Sequence, residues 1–256
     1  MRELRRRNLA SVISNEIIAV ELDRFLRTHY QVGAPASLLD LGAGSKPYEP
    51  LYAPYFVSST AVDVDHSIHD ISRIDVLAGA EDLPFDDDTF DCVICTELLE
   101  HSARPADVVR EVARVLRPGG AMFLTTPFLR PLHEMPHDYY RFTPSALQQL
   151  AHESDLVVES LIPRGEYFAV ALLTLQLPIS KLWQQAARVT RHALPYSWGN
   201  PLVIATIVAP QLAYLRWWKA ARARRVGVLN RLYNRLSYYT LGYVTVLRAR
   251  RSPSTH

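Results

Sequence analysis

The sequence predicts an α/β fold: a doubly wound, mainly parallel sheet with a helical, apolar and basic insertion ahead of its last strand. Three observations carry this reading. Short apolar runs alternate with longer amphipathic ones from Ala36 to Leu161, the pattern of βαβ units. Glycines and carboxylates gather at the ends of the first runs, where such a sheet keeps its ligands. The charge is also divided along the chain. Residues 1–180 hold 15 Lys+Arg against 26 Asp+Glu, a balance of −11, whereas residues 181–256 hold 13 Lys+Arg and no acidic residue, within a net charge of +2. Four segments follow: an N-terminal amphipathic helix (1–35), an α/β core (36–165), a helical basic insertion (166–238), and a final core strand with a basic tail (239–256).

In chain order, the first element is a helix over about Ala10–Arg27, behind a cluster of Arg2, Arg5, Arg6 and Arg7. Its Glu16, Glu21, Asp23 and Arg24 interrupt what would have to be the apolar centre of an export signal, so none is expected. Strands are expected at Ser37–Leu41, Thr60–Val64, Arg73–Leu77, Phe90–Cys95, Ala121–Thr126 and Leu156–Leu161, and a last one at Tyr239–Leu247. The clearest helix is Pro105–Leu116, with proline in the first turn and Pro118-Gly119-Gly120 as its stop. Because the last strand completes the sheet, deletion of everything after Arg164 should unfold the chain.

The two cysteines, Cys92 and Cys95, lie three apart in one apolar strand and therefore point to opposite faces. They read as core thiols of a reducing compartment, neither a disulfide nor a metal pair.

The first strand ends in Asp40-Leu41-Gly42-Ala43-Gly44-Ser45, and glycines there let the backbone turn tightly and approach a ligand. Pro47 stands where a dinucleotide fingerprint needs its third glycine, which disfavours that motif. About twenty residues on, Asp63 ends the second strand, and an ionised carboxylate can accept two hydrogen bonds from a ribose diol. Loop and carboxylate together specify a nucleoside.

Four ordered motifs, LLDLGAGSKPY, AVDVD, AEDLPFDDDTFDCVICTELLEH and EVARVLRPGGAMFLTTPF, resemble the class I S-adenosylmethionine-dependent methyltransferases of the type 11 subgroup. The likeness covers Ser37 to Leu161 and implies a Rossmann-like methyltransferase sheet with S-adenosylmethionine as cofactor. Carried over by position, it implies that Asp40, Gly42 and Gly44 surround the methionine part and that Asp63 holds the ribose hydroxyls. Ala80, Glu81 and Asp82 then flank the adenine, and Thr96 and Glu97 stand beside the sulfonium. The chain departs from the family at Ser45 and at Gly79, where a glycine and an acidic residue are usual; Glu81, Asp82 or a backbone carbonyl is expected to replace the missing carboxylate.

The stretch His133-Glu134-Met135-Pro136-His137 spells the H-E-x-x-H pattern of zinc hydrolases. Pro136 forbids the helix that would put both histidines on one face, so no metal is expected from that pair. The segment is read instead as the loop after the fifth strand, overhanging the cofactor. Its wording, PF-x-x-P-x-HE-x-PHDYYRFT, is similar to methyltransferases that accompany cell-surface glycan synthesis. Methyl transfer to a hydroxyl needs a base, which a histidine suits. His137, or else His133, is the expected base, Asp138 its orienter, and Tyr139, Tyr140, Arg141 and His101 the expected acceptor contacts. Tyr140 and Phe142 as packing, with an Asp138–Arg141 ion pair fixing the loop, is the plainer alternative.

Beyond Arg164, two uncharged stretches, Tyr167–Ser180 and Leu202–Leu215, are too short to span a bilayer. Trp217-Trp218-Lys219 followed by Arg222, Arg224 and Arg225 suits an anionic membrane surface. A protein partner or second copy is the next reading, nucleic acid is disfavoured, and the oligomeric state is left open. The expected protein is a methyltransferase on the cytoplasmic side, peripheral on the inner face of the membrane, with a small-molecule, glycan or lipid-linked acceptor. Its rivals are a non-catalytic membrane scaffold that binds the cofactor and, less favoured, a zinc hydrolase.

Overall fold

A computed structural model describes residues 9–165, 169–172, 174, 175, 209–224 and 240–250. Their elements are α1 (Leu9–His29), β1 (Ala34–Leu41), α2 (Glu49–Tyr52), β2 (Phe56–Asp63), β3 (Val76–Leu77), β4 (Phe90–Thr96), α3 (Pro105–Val115), β5 (Leu116–Pro127), α4 (Pro144–Glu153), β6 (Leu156–Arg164), α5 (Ala209–Arg224) and β7 (Gly242–Ala249).

The seven strands form one sheet in the order β3-β2-β1-β4-β5-β7-β6. The pairs of β1 with β2 and β4, of β2 with β3, and of β4 with β5 are parallel, while β7 runs antiparallel to β5. The chain goes outward from β1 in both directions, so the order reverses between β1 and β4. The carboxyl ends of these two strands diverge there and leave a crevice for a ligand.

Strict alternation builds two cores from one set of strands. Leu39, Leu41, Val93, Cys95, Met122 and Leu124 face Val108, Val109 and Val112 of α3 and Leu147 and Ala151 of α4. Leu38, Cys92, Ile94, Ala121 and Phe123 face Ile18, Leu22, Phe25 and Leu26 of α1. The two cysteines thus lie on opposite faces, and burial pushes the Cys92 thiol up to about 12, which keeps it protonated and inert.

Three expectations need correction. Helix α3 stops at Val115 and the expected stop signal lies inside β5: Leu116 already pairs with Phe90, and the chain passes Gly119 (φ +84°) and Gly120 before regular pairing resumes at Ala121. A side chain at Gly120 would come within 2.8 Å of the Arg117 carbonyl, so these glycines serve a tight strand path and not a helix cap. Strand β3 is only Val76–Leu77, because Asp75 spends its carboxylate on the Ala61 amide and on Lys46. The last strand is Gly242–Ala249, not Tyr239–Leu247, and it sits inside the sheet between β5 and β6.

The chain divides into two compact units, Ile18–Ile162 with Gly242–His256, and Met1–Ile17 with Pro163–Leu241. The break between Ile17 and Ile18 falls within α1. In the second unit, Tyr214, Leu215 and Trp218 of α5 are buried while Leu212, Ala213, Arg216 and Trp217 are exposed, and Lys219 pairs with Glu16 at 3.0 Å. Among the described residues no helix is long and apolar enough to cross a membrane. Most of the two uncharged stretches, and Trp183 and Trp198, lie outside the described residues.

Candidate functional site

The crevice begins at the glycine loop. The Gly42 and Ala43 amides both donate to the Val62 carbonyl (2.9 and 3.1 Å), folding the end of β1 back over β2. Gly42 (φ +69°) and Gly44 (φ +51°) adopt the left-handed conformation, and a Cβ on Gly42 would lie 2.2 Å from a methyl of Leu98. Only glycine fits that point. Asp63 lies across the loop with both carboxylate oxygens engaged, Oδ2 by the Gly44 amide and Oδ1 by the Val64 amide, each at 2.7 Å. Each oxygen keeps a second lone pair, so a diol can still be held. Asp40 accepts a hydrogen bond from the Tyr52 hydroxyl (2.9 Å), and burial raises its carboxyl to about 6.

Beyond β3, Ala80 is buried, Glu81 half-buried and Asp82 exposed. Glu81 Oε1 accepts from Ser102 Oγ at 2.5 Å, while its Oε2 stands 3.4 Å from where a Cβ on Gly79 would be. Asp82 is exposed.

At the tip of β4, Thr96 is the last strand residue and Glu97 turns into the left-handed region (φ +52°). Its amide donates to the Thr125 carbonyl, and its carboxylate takes the Thr125 hydroxyl at 3.1 Å and Arg130 Nη1 at 2.6 Å. Glu97 is thus aimed by two groups from the end of β5 and the loop after it.

That loop, 128–143, is stitched onto the 3-10 turn Leu99–His101 that follows β4. The Tyr139 and Tyr140 amides donate to the Glu100 carbonyl, and the Tyr140 hydroxyl donates to the Ala103 carbonyl. Thr143 closes the loop by capping α4 through the Ala146 amide, with Pro144 in the first turn. His133 and His137 lie on non-helical backbone. His137 is exposed and its Nδ1 is 3.0 Å from the Tyr139 hydroxyl. Asp138 does not orient His137. Its carboxylate binds both Arg141 amino groups (2.6 and 2.9 Å) and the His133 amide (2.9 Å), and it lies 3.3 Å from His133 Nδ1. The reason is chain direction: a turn brings residue 138 back under residue 133, while His137 projects outward. Arg141 pairs with Asp138 through both amino groups, the ion pair of the plainer alternative. His101 is also turned inward, with Nδ1 2.6 Å from the His137 carbonyl, whereas Tyr139 and Tyr140 are exposed as an acceptor wall requires. Burial, then the nearby Arg130, hold His133 below the usual histidine range, so it is neutral at physiological pH.

Sequence reasoning missed Tyr52, Arg130, Ser102 and His69. The first three are aligned only by tertiary contacts. His69, whose ring lies 3.3 Å from a notional Cβ on Gly44 and 3.7 Å from Glu134, stood in the histidine-rich run His66-Ser67-Ile68-His69 directly after Asp63.

Comparison with known proteins agrees with this geometry. Residues 39–124 match the family described as a methyltransferase domain. A curated relative, the ubiquinone biosynthesis O-methyltransferase of Dechloromonas aromatica, is 36% identical over 36% of this chain, so the chain spans about half (46%) of that relative's length. Among solved structures, a SAM-dependent methyltransferase from Archaeoglobus fulgidus superposes with a TM-score of 0.52 at 15% identity, over 91% of this chain and 93% of its own. The cyclase SpnF superposes with a TM-score of 0.53 at 16% identity, over 91% and 81%. The fold is the Rossmann-like methyltransferase sheet.

Proposed function

We propose that the protein is an S-adenosylmethionine-dependent methyltransferase that delivers its methyl group to a hydroxyl of a small-molecule, glycan or lipid-linked acceptor at a membrane surface. The observation that carries this reading is the pairing of a glycine cradle with Asp63. A backbone passage that a single Cβ at residue 42 would fill, facing a carboxylate with lone pairs to spare, fits a nucleoside with a short charged side chain. When bound, the cofactor supplies an electrophilic methyl on a sulfonium. The chain's part is to place and deprotonate the acceptor.

In this reading Asp63 holds the ribose hydroxyls, Glu81 borders the adenine, and the charged end lies along the Gly42–Gly44 passage facing Asp40. Glu97, fixed by Thr125 and Arg130, lies beside the methyl. His137, paired with the Tyr139 hydroxyl on the exposed loop, takes the acceptor proton, and Tyr139 and Tyr140 wall the acceptor. The printed name of the Dechloromonas relative is that of an O-methyltransferase, which supports oxygen as the accepting atom. The membrane surface rests on α5, whose exposed side carries Leu212, Arg216, Trp217 and Lys219, an exposed tryptophan between two cations. The cytoplasmic side is the reading that goes with the two core thiols.

The experiment is transfer of labelled methyl from S-adenosylmethionine into a lipid extract. Labelled product that disappears in Asp63→Asn supports the proposal. The cyclase SpnF, with the same fold, supplies the ground for a second reading in which the nucleoside pocket serves something other than methyl transfer, as a scaffold or sensor. Tight cofactor binding with no transfer to lipid, glycan or small hydroxyl acceptors would decide for it.

A further inference from the structure

The loop after β5 brings His133 against Glu100 and His101 of the turn after β4, and the three side chains offer ligand atoms that all lie within 4.8 Å of one another. We propose that this trio binds a divalent transition-metal ion of the zinc class. Of the H-E-x-x-H letters only His133 is a ligand: it pairs with His101, and His137 contributes only its carbonyl.

The assignment follows from where the protons must be. His101 Nδ1 is 2.6 Å from the His137 carbonyl, an acceptor only, so Nδ1 carries the hydrogen and Nε2 of the neutral ring carries a lone pair. His133 Nδ1 lies 3.3 Å from Asp138 Oδ2 without hydrogen-bond geometry, and the carboxylate's charge favours a proton on the ring nitrogen nearest to it, the same tautomer. Both lone pairs are then directed at one carboxylate, His101 Nε2 at 3.7 Å and His133 Nε2 at 3.9 Å from Glu100 Oε1. These distances are too long for hydrogen bonds. Metal–ligand bonds of about 2.0–2.1 Å put tetrahedral ligands about 3.3 Å apart, so the two imidazole–carboxylate separations need contract by only about half an ångström, while the two imidazole nitrogens, within 4.8 Å of each other, close by ring rotation. Glu100 is fully buried and the two histidine side chains are 16% and 17% exposed. The His101 ring edge is held by the His137 carbonyl, the usual outer support of a metal-binding histidine, and the Asp138 carboxylate stands near the His133 edge. Glu134 Oε2, 3.7 Å from His101 Nε2, stands at the rim where it can accept from a water in the fourth position. Two imidazoles and a carboxylate favour zinc among the abundant divalent ions, with iron the alternative for this donor set.

The test does not depend on methyl transfer. Protein stripped with a chelator and shown to be folded is titrated with Zn2+, and with Co2+ as a spectroscopic stand-in, and the bound metal is counted after dialysis. One equivalent with the absorption of a four-coordinate Co2+ site is expected, with affinity reduced at least about a hundredfold in His101→Ala and in His133→Ala. His137→Gln and His69→Ala are expected to keep it. Folded wild type that holds no metal at micromolar concentration would overturn the proposal, as would full binding in a His101→Ala/His133→Ala double variant. Loss of binding in His69→Ala with retention in His133→Ala would move the ion to a different site and equally overturn it. Metal content of protein purified without added zinc separates zinc from iron.

Discussion

The loop after β1 and the loop after β5 border the same crevice but are built on different principles. The first is made mainly of main chain: Gly42 and Gly44 in left-handed conformations, and amides donating to Val62 and Asp63. The second is made of side chains: Asp138 clasping Arg141 and His133, His137 leaning on Tyr139, and His101 and His133 turned toward Glu100. The difference shows what each can be used for. A backbone cradle can recognise one ligand shape and tolerates almost no change, whereas a side-chain loop can be rewired one group at a time.

The largest expected effect lies in the backbone loop. Gly42→Val adds a branched side chain at φ +69°, where its Cβ would stand 2.2 Å from Leu98, itself packed on the core. Left-handed strain of about 1–2 kcal/mol and overpacking of about 1–3 kcal/mol add to a loss on the order of 4 kcal/mol in chemical denaturation. Cofactor binding by calorimetry should vanish with it. A variant that keeps both would show that the loop is less dependent on its backbone path than the comparison claims.

The same contrast explains what was legible in the sequence. Gly42, Gly44 and Asp63 could be placed because their roles follow from residue type at a strand end; a glycine announces its own conformation. The two-sided core could be placed because period 2 dictates it. The wiring of the second loop could not. Asp138 was expected to serve its neighbour His137, but a turn redirects it to His133, five residues back, and to Arg141. Pro118-Gly119-Gly120 carries a stop signal in any local reading, yet pairing of Leu116 with Phe90 draws it into β5. In both places a tertiary contact outweighs a local preference. The trio of Glu100, His101 and His133 was invisible for the same reason, since the correct partner of His133 lies thirty-two residues upstream and not four downstream.

The next effect sharpens the second half of the comparison. His137→Gln keeps the size and polarity of an exposed side chain, so folding and cofactor binding should stay as they are. Turnover of the hydroxyl acceptor should fall about a hundredfold, the low end of general-base contributions and about 2.7 kcal/mol of barrier. Unchanged turnover would remove His137 as the base while leaving the fold and cofactor assignments standing.

Asp138→Asn comes third. The side chain is fully covered and binds Arg141 at two points, and these donors hold its carboxyl far below the usual range. Neutralising it leaves Arg141 without its counter-charge and is expected to cost about 2–3 kcal/mol, somewhat below the range for a fully buried pair because Arg141 is partly exposed. Hydrogen exchange should rise at the Tyr139 and Tyr140 amides and stay unchanged at Gly42 and Ala43. Equal loosening of both loops would break the distinction between them.

The smallest effect returns to the backbone loop and to its one titrating neighbour. Asp40 is raised to about 6 chiefly by burial; the hydrogen bond from Tyr52 and the charge of Lys46 lower it in part, and Glu49 and Asp63 raise it. A carboxyl raised on folding stabilises the fold only while protonated, so this contribution is complete below about pH 4 and is lost as pH climbs through 6. Binding a cationic ligand runs the other way, because only the ionised form attracts it. The affinity for S-adenosylmethionine should therefore rise about tenfold between pH 5 and pH 7 and level off above, a change of about 1.4 kcal/mol, since roughly a tenth of Asp40 is ionised at pH 5. Asp40→Asn should flatten that profile without abolishing binding, because the glycine passage and Asp63 remain. The neutral-side-chain analogue of the cofactor is the sharper probe: if its binding rises with pH as steeply, Asp40 answers to Tyr52 and Lys46 alone and does not face the charged end of the ligand.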